Sequence, residues 1–258
     1  VIGNMDIIDA ATIQPQLTQP LELQVFPELT STNQVAKQWL MQGQKTPDVL
    51  IADHQTAGYG RLDRQFYSPA GTGIYMTFIW PEMVIDESIG LLTPMMAVAV
   101  REAIVAVCQV NPTIKWVNDL YLNHNKVVGI LAESIPGHGV VMGVGIDFKS
   151  DATRQQFAAQ SGSLLPANTS VTRVQLIAAI INRVTQMLPT YRTGDYLSAY
   201  RAHSMLIGQT VTLKVGADEQ IVKVIGIGQA AELVVQQADG QQKSYTSAEV
   251  TRVLNWTE

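Results

Sequence analysis

The sequence contains a single cysteine, Cys108, among 258 residues. Internal disulfides are therefore excluded, and this cysteine usage fits a cytosolic protein. Cys108 falls on an apolar helical stretch, where a thiol is buried and inert rather than nucleophilic. Charge is sparse as well. Asp, Glu, Lys and Arg make up 15% of the chain, the net charge is −5 and no Lys/Arg cluster occurs, so nothing points to nucleic acid. The longest apolar run, Met95 to Val107, is broken by Arg101 and Glu102 and stops short of the roughly 18 residues of a membrane span. The four histidines are scattered and none stands at ligand spacing from another, which argues against a zinc site. The N-terminus carries Asp6 and Asp9 where a secretory signal would be basic, so no signal peptide is expected.

What is present suits one medium domain and a small one. Residues 1–22, with Pro15 and Pro20, form a poorly patterned lead, too short and too polar for a helix-turn-helix domain. Leu23 to Phe26 reads as a short strand. Ser31 or Thr32 then caps a helix whose stripe is Val35, Ala36, Trp39 and Leu40, and Gly43 ends it. Val49 to Ala52 is a buried strand, and Ile74 to Trp80 is another, stopped by Pro81. Thr93 to Val110 is a deeply buried helix with Pro94 at its first position and a Met95/Met96 pair as core filler. Val140 to Phe148 is a strand whose Gly143 and Gly145 suggest close approach of a ligand. Residues 149–170 are loop-like. Val171 to Leu188 is a helix with Thr172 and Gln175 placed for a capping box, and Asp195 to His203 is a shorter one. From about Gly208 short alternating strands, punctuated by Gly216, Gly226, Gly228 and Gly240, form a small all-β module.

Three stretches carry chemistry. The first runs from Lys115 to Glu133 and reads as two strands around an Asn123-His124-Asn125 turn. Asn118 and Asp119 interrupt the apolar pattern of the first strand, Lys126 opens the second, and Gly129 weakens it unless something must approach closely. Such a polar cluster on a rigid hairpin suits an anionic ligand and its metal, although a hairpin with a polar rim reads the same way. The second is Ser31-Thr32-Asn33, an ordinary cap whose hydroxyls and free amide donors can also hold a small polar head group. The third is the long Gly-rich loop from Asp53 to Gly73 with Arg61 and Arg64. Its glycines let the backbone close over phosphates, and its arginines offer bidentate contacts to them. A dinucleotide fingerprint fails here, because after Gly58 and Gly60 the third glycine position holds Asp63.

These stretches resemble biotin protein ligases. Lys115-Trp-Val-Asn-Asp119 and Lys126-Val-Val-Gly-Ile-Leu131 are similar to the family's Lys-Trp-Pro-Asn-Asp and Lys-x-x-Gly-Ile-Leu motifs. Residues 55–64 are similar to its Gln-x-Ala-Gly-Arg-Gly-Arg-x-Gly-Arg loop. The resemblance runs in the family's order over roughly residues 23 to 258. It implies an α+β fold: a mixed or antiparallel sheet with flanking helices, the class II synthetase-like catalytic domain of biotin and lipoate ligases, at 23–206. A small SH3-like β-barrel follows at 207–258. The form implied lacks the N-terminal DNA-binding domain that makes some members repressors.

The resemblance also implies roles. Lys126 and Arg61 would be catalytic. Biotin would lie against Ser31, Thr32, Asn33, Gln55, Tyr59, Gly60, Arg61, Lys126 and Gly129. Nucleotide would meet Gly58, Arg64, Lys115, Trp116, Asn118, Asp119 and Asp147, with Asp119 and Asp147 as candidate Mg²⁺ ligands. ATP and biotin would be the substrates. The partner would be the biotin carboxyl carrier domain of a carboxylase, in the cytoplasm, with no DNA and no membrane, leaving room for a homodimer. Three positions depart from the pattern: Tyr59 replaces an arginine, Asp63 a glycine and Asp147 an asparagine. They keep a non-catalytic biotin-adenylate sensor in play, alongside the lipoate and octanoate enzymes of the sister family.

Overall fold

A computed structural model describes residues 6–151 and 161–254. The chain builds a seven-stranded mixed sheet followed by a five-stranded antiparallel one. In the first sheet the strands are β1 (Leu23–Leu29), β2 (Val49–Gln55), β3 (Ile74–Trp80), β4 (Thr113–Lys115), β5 (Asp119–Leu122), β6 (Asn125–Ile135) and β7 (Gly139–Ile146). They lie side by side in the order β1-β2-β3-β7-β6-β5-β4. Only β1 and β2 are parallel, and they are joined by α2 (Thr32–Met41); every other neighbouring pair is antiparallel. The second sheet holds β8 (Thr210–Val215), β9 (Asp218–Ile227), β10 (Leu233–Gln236), β11 (Gln242–Tyr245) and β12 (Glu249–Val253), in the order β11-β10-β9-β8-β12. It has the make-up expected of the SH3-like module.

Strand alternation decides what each face of the large sheet covers. Leu50, Ile79 and Val141 pack with Ala36 and Leu40 of α2. Their sequence neighbours Val49, Ile51, Phe78, Val140 and Met142 belong to the main core on the other face. That core is shared with α3 (Leu92–Cys108) and α4 (Arg173–Met187). Ser31 caps α2, accepting from Gln34 N–H at 3.5 Å, and the capping box of α4 between Thr172 and Gln175 forms in full. Met95 and Met96 are fully buried, as core filler should be.

Several expectations need correction. The stretch before the turn is two strands, not one. Lys115 ends β4, residues 116–118 form a turn that contains a cis Trp116–Val117 bond, and Asp119 opens β5. A polar Asn118 is thus compatible with its place because it stands between strands. The hairpin turn itself uses Asn123 and His124 at φ 49° and 65°, the pair of left-handed residues that a two-residue connection needs. Pro94 occupies the third position of α3, where a 3-10 turn gives way to the α-helix and the α-helical ladder does not yet use an N–H. Asp147 lies just past β7. The apolar stretch is also longer than it reads: Glu87–Cys108 is continuously helical over 22 residues, enough by length and composition to cross a membrane. Most of it is buried against the sheet and α4, as in a core helix. Finally, the lead is packed. Short helix α1 (Ala10–Ile13) places Ile13 at 0% exposure, with Ile8 beside it in the core.

Burial pushes the Cys108 thiol up to about 11. Native protein at pH 8 is therefore expected to resist alkylation there, with reaction appearing only on unfolding. Labelling of the native state at the rate of the denatured chain would contradict this packing.

Candidate active site

Register across the large sheet builds the floor of the site. Tyr75, Gly145, Gly129 and Asp119 are successive partners on β3, β7, β6 and β5, so they form one row. Thr77, Gly143 and Leu131 form the next row, on the same face as α2. Over this floor lies a cleft of about 610 Å³, walled by the cap of α2, the 55–73 loop, the 115–119 turn and Ala248 to Thr251 of the second sheet.

The glycines make room for side chains rather than directly for a ligand. A Cβ at Gly143 would sit 2.4 Å from Asn33 Oδ1, and one at Gly145 would sit 2.6 Å from the Phe66 ring. At Gly129 it would meet the end of the Lys126 side chain at 3.3 Å. So Asn33, Phe66 and Lys126 each lie down on a bare patch of sheet. A side chain at Gly143 or Gly145 would displace Asn33 or Phe66, and one at Gly129 would press on the end of Lys126.

The cap is held by buried hydrogen bonds. Thr77 is fully buried, and its hydroxyl lies 2.7 Å from Asn33 Oδ1 and 2.8 Å from Thr32 Oγ1. Asn33 Oδ1 only accepts, so the Thr77 proton goes there, and Thr32 must donate if it bonds to Thr77. Asn33 Nδ2 donates to Glu133 Oε2 at 2.9 Å and to Leu131 O at 3.2 Å, which fixes the amide orientation. Gln55 Oε1 accepts from Thr32 N–H at 2.9 Å. Thr77→Val keeps the shape and removes the anchor, so two buried groups lose a partner at a cost of about 1–3 kcal/mol. Affinity for any ligand seated against this cap is expected to fall roughly tenfold, measured by titration calorimetry, with secondary structure unchanged. Unaltered affinity would show that Thr77 orients nothing.

The cationic side of the cleft has Lys126 Nζ 2.7 Å from Asp119 Oδ1. That carboxylate oxygen is buried and lacks hydrogen-bond alignment despite its closeness to the amine. Lys115 is driven below its ordinary pKa by burial, and its amine lies over the Tyr121 ring at 5.3 Å. Arg61 Nη1 donates to Asn118 Oδ1 at 3.3 Å and Nη2 to Ala248 O at 3.5 Å. Arg64 pairs with Glu249 at 2.5 Å. Asp147 is buried, and one of its oxygens accepts from Ser161 at 2.6 Å.

The departures from the loop motif have distinct settings. The Tyr59 hydroxyl donates to Glu133 Oε2 at 2.9 Å, while Lys37 takes Glu133 Oε1 at 2.6 Å and sits over the Tyr59 ring. Burial raises the Tyr59 pKa, so the hydroxyl stays a neutral donor. Leu62 and Asp63 have φ 57° and 55°, the left-handed region in which glycine is favoured. Asp63 is exposed, is not among the residues lining the cleft and pairs with neither arginine.

A family model described as the Biotin/lipoate A/B protein ligase family matches residues 25–147. Over those residues the chain is similar to that family. Among relatives, the bifunctional ligase/repressor BirA of Escherichia coli K12 is 28% identical over 236 residues, 88% of this chain and 73% of that protein. The biotin–[acetyl-CoA-carboxylase] ligase of Paracoccus denitrificans is 27% identical over 213 residues, 75% of this chain and 85% of that one. Of solved structures, the biotin protein ligase of Aquifex aeolicus in complex with biotin and ATP has a TM-score of 0.77 at 21% identity. It covers 90% of this chain and 99% of its own, so the fold is shared across both sheets.

Fifteen of the family-derived positions can be placed on this geometry. Ser31, Thr32, Asn33, Gln55, Tyr59, Gly60, Arg61, Arg64, Lys115, Trp116, Asn118, Asp119, Lys126, Gly129 and Asp147 all line the cleft. Gly58 does not. A Cβ there would strike Ser68 Oγ, Phe66 O and Gln55 Nε2 at 2.6–2.8 Å, so its place is inside the loop's own packing. Other participants were not anticipated. Thr77 was legible as the one polar residue in Ile74-Tyr-Met-Thr-Phe-Ile-Trp80, and Glu133 as the acid that closes its strand motif. Phe66, Ala248 and Glu249 gave no local signal, because their positions depend on how the loop and the second sheet meet.

Proposed function

We propose that the protein is a biotin protein ligase that uses Lys126 and Arg61 as its cationic pair. The observation that carries the reading is the convergence, on one cleft, of the Ser31–Asn33 cap with Lys126, Arg61 and Lys115. The biotin carboxylate oxygen attacks the α-phosphorus of ATP. The bond from that phosphorus to the bridging oxygen breaks, and pyrophosphate leaves with the electron pair. A lysine amine of a carrier domain then attacks the carbonyl of biotinyl-5′-AMP, losing a proton as the amide forms and AMP departs.

Each group has a task in this scheme. The ureido ring of biotin offers two N–H donors and one carbonyl, and it would lie against the cap, where the Thr32 oxygen keeps acceptor capacity. Lys126 would exchange its Asp119 partner for the reacting oxygens, and Arg61 would hold the phosphate as charge builds there. The ring of Phe66 and the 55–73 loop would keep water from the anhydride. Gln55 fixes Thr32 and Trp116 closes the wall, its indole donating to Ala231 O at 2.8 Å.

Mg²⁺ fits the acidic side of the cleft. The buried, poorly aligned Asp119 Oδ1 and the buried Asp147 carboxylate are hard oxygen donors. Among the described residues no group of three metal-binding side chains occurs, which suits an ion held mainly by nucleotide phosphates and one or two carboxylates. Bound there, Mg²⁺ would neutralise triphosphate charge. The carrier substrate would be the biotin carboxyl carrier domain of a carboxylase, and an ATP-dependent reaction together with a lone buried cysteine favours the cytoplasm.

Pyrophosphate release tests the reading. With ATP and Mg²⁺ the protein is expected to release pyrophosphate when biotin is added and not when lipoate or octanoate replaces it. Release with lipoate or octanoate alone would move the protein to the sister activity. No release with any acid, beside tight biotin binding, would make it a sensor.

A further inference from the structure

Arg173 lies outside the cleft, yet it holds the loop that walls it. It is the first residue of α4 and is 2% exposed. Its backbone N–H donates to Asp6 Oδ1 and its Nε to Asp6 Oδ2, both at 2.9 Å, while Nη2 donates to Asp6 O at 2.5 Å. Nη1 donates to Gly73 O at 3.2 Å and to the Asp53 carboxylate. The same Asp53 oxygen accepts from Gly71 N–H at 3.1 Å. Lys149 adds to the cluster, with Nζ 3.6 Å from Asp6 and its backbone N–H on Thr72 O at 3.0 Å.

Asp53 stands where β2 enters the loop, and Gly71, Thr72 and Gly73 stand where the loop runs into β3. One planar guanidinium therefore ties both ends of the loop to α4 and to the N-terminal segment. An apolar residue could fill the same volume without a desolvation cost, and such swaps are often neutral or stabilising. It could not bridge a carboxylate and a carbonyl on opposite ends of a loop. That bridging needs the fixed fork of an arginine.

We infer that Arg173, with Asp6 and Asp53, is a positioning device that fixes the base of the 55–73 loop and so sets how long the cleft retains its acyl adenylate. The inference rests on the ligase reading for the adenylate, but not for the loop. The segment carrying Asp6 becomes part of the device, so a change at the start of the chain would be felt by Tyr59, Arg61 and Arg64.

Arg61 and Arg64 are the trypsin sites of this loop, which makes it its own reporter. Asp6→Asn and Arg173→Met are compared with wild type, the first covering the case in which the second fails to fold. Two rates are read well below the Tm: nicking after Arg61 and Arg64 without ligand, and escape of labelled biotinyl-5′-AMP. Both are expected to rise roughly tenfold, with far-UV circular dichroism unchanged. A lowered Tm with unchanged nicking or unchanged escape would reduce Arg173 to a stability element and overturn the proposal. If wild type forms no adenylate, the ligase reading falls. Nicking alone then decides: faster nicking upholds the device, and unchanged nicking overturns it.

Discussion

Lys126→Ala is expected to slow single-turnover adenylate formation by roughly 10²-fold or more, the loss typical of a preorganised donor to a developing negative charge. The effect should fall on the chemical step more than on biotin binding, because the cap and Gln55 remain in place. The fold should survive. Lys126 sits at the start of β6, with about a third of its side chain exposed and its end lying across Gly129. Losing it leaves Asp119 without its cation, so a modest fall in Tm is expected, and Lys126→Met separates the two effects by keeping the stem. Both variants should be equally slow if the ammonium acts on the reacting atoms. Near-normal adenylation by either folded variant would remove Lys126 from the mechanism.

The parts of this site that could be read along the chain are those made by short contiguous runs. A serine before an apolar stripe announced the start of α2, and Thr172 with Gln175 announced that of α4. An apolar run stopped by Pro81 placed β3 at Ile74–Trp80 to the residue. Lys126 and Gly129 were visible because each breaks a strand pattern. The single-strand reading of 115–122 failed because the apolar content of Trp116 and Val117 hid a turn between β4 and β5. Burial there comes from tertiary packing, with Trp116 at 4% exposure, not from strand pairing. The glycines were read correctly as close-approach positions but with the wrong occupant. Which atom fills the space over Gly143 or Gly145 depends on α2 and the loop arriving from far along the chain. Arg173 was indistinguishable from a surface arginine at a helix start. Its burial depends on Asp6 and Asp53, 167 and 120 residues away.

Tyr59→Arg is expected to slow the escape of biotinyl-5′-AMP roughly 10- to 100-fold, and the geometry of Glu133 says why. A charge-assisted contact to an anionic ligand is worth about 1.5–3 kcal/mol. At present the Tyr59 hydroxyl spends its only proton on Glu133, whose other oxygen is held by Lys37. An arginine has five donors, so it can keep the Glu133 contact and still turn donors toward the cleft. Asp63→Gly should act differently. Asp63 is exposed at φ 55° and does not line the cleft, so it neither repels a phosphate nor restrains Arg64, which Glu249 holds. Glycine there relieves a left-handed backbone, worth on the order of 1 kcal/mol of loop strain. Its effect should show as slower nicking of the free loop, with little change in escape rate. The double variant should then match Tyr59→Arg in escape rate and Asp63→Gly in nicking. The measurement is the dissociation of labelled adenylate at one salt concentration, since close variants differ mostly in off-rate. If Tyr59→Arg releases adenylate as fast as wild type, Lys37 or Arg61 already supplies the missing charge. If Asp63→Gly alone slows escape tenfold, the aspartate does face the phosphate in the loaded enzyme and its charge, not its backbone, governs retention.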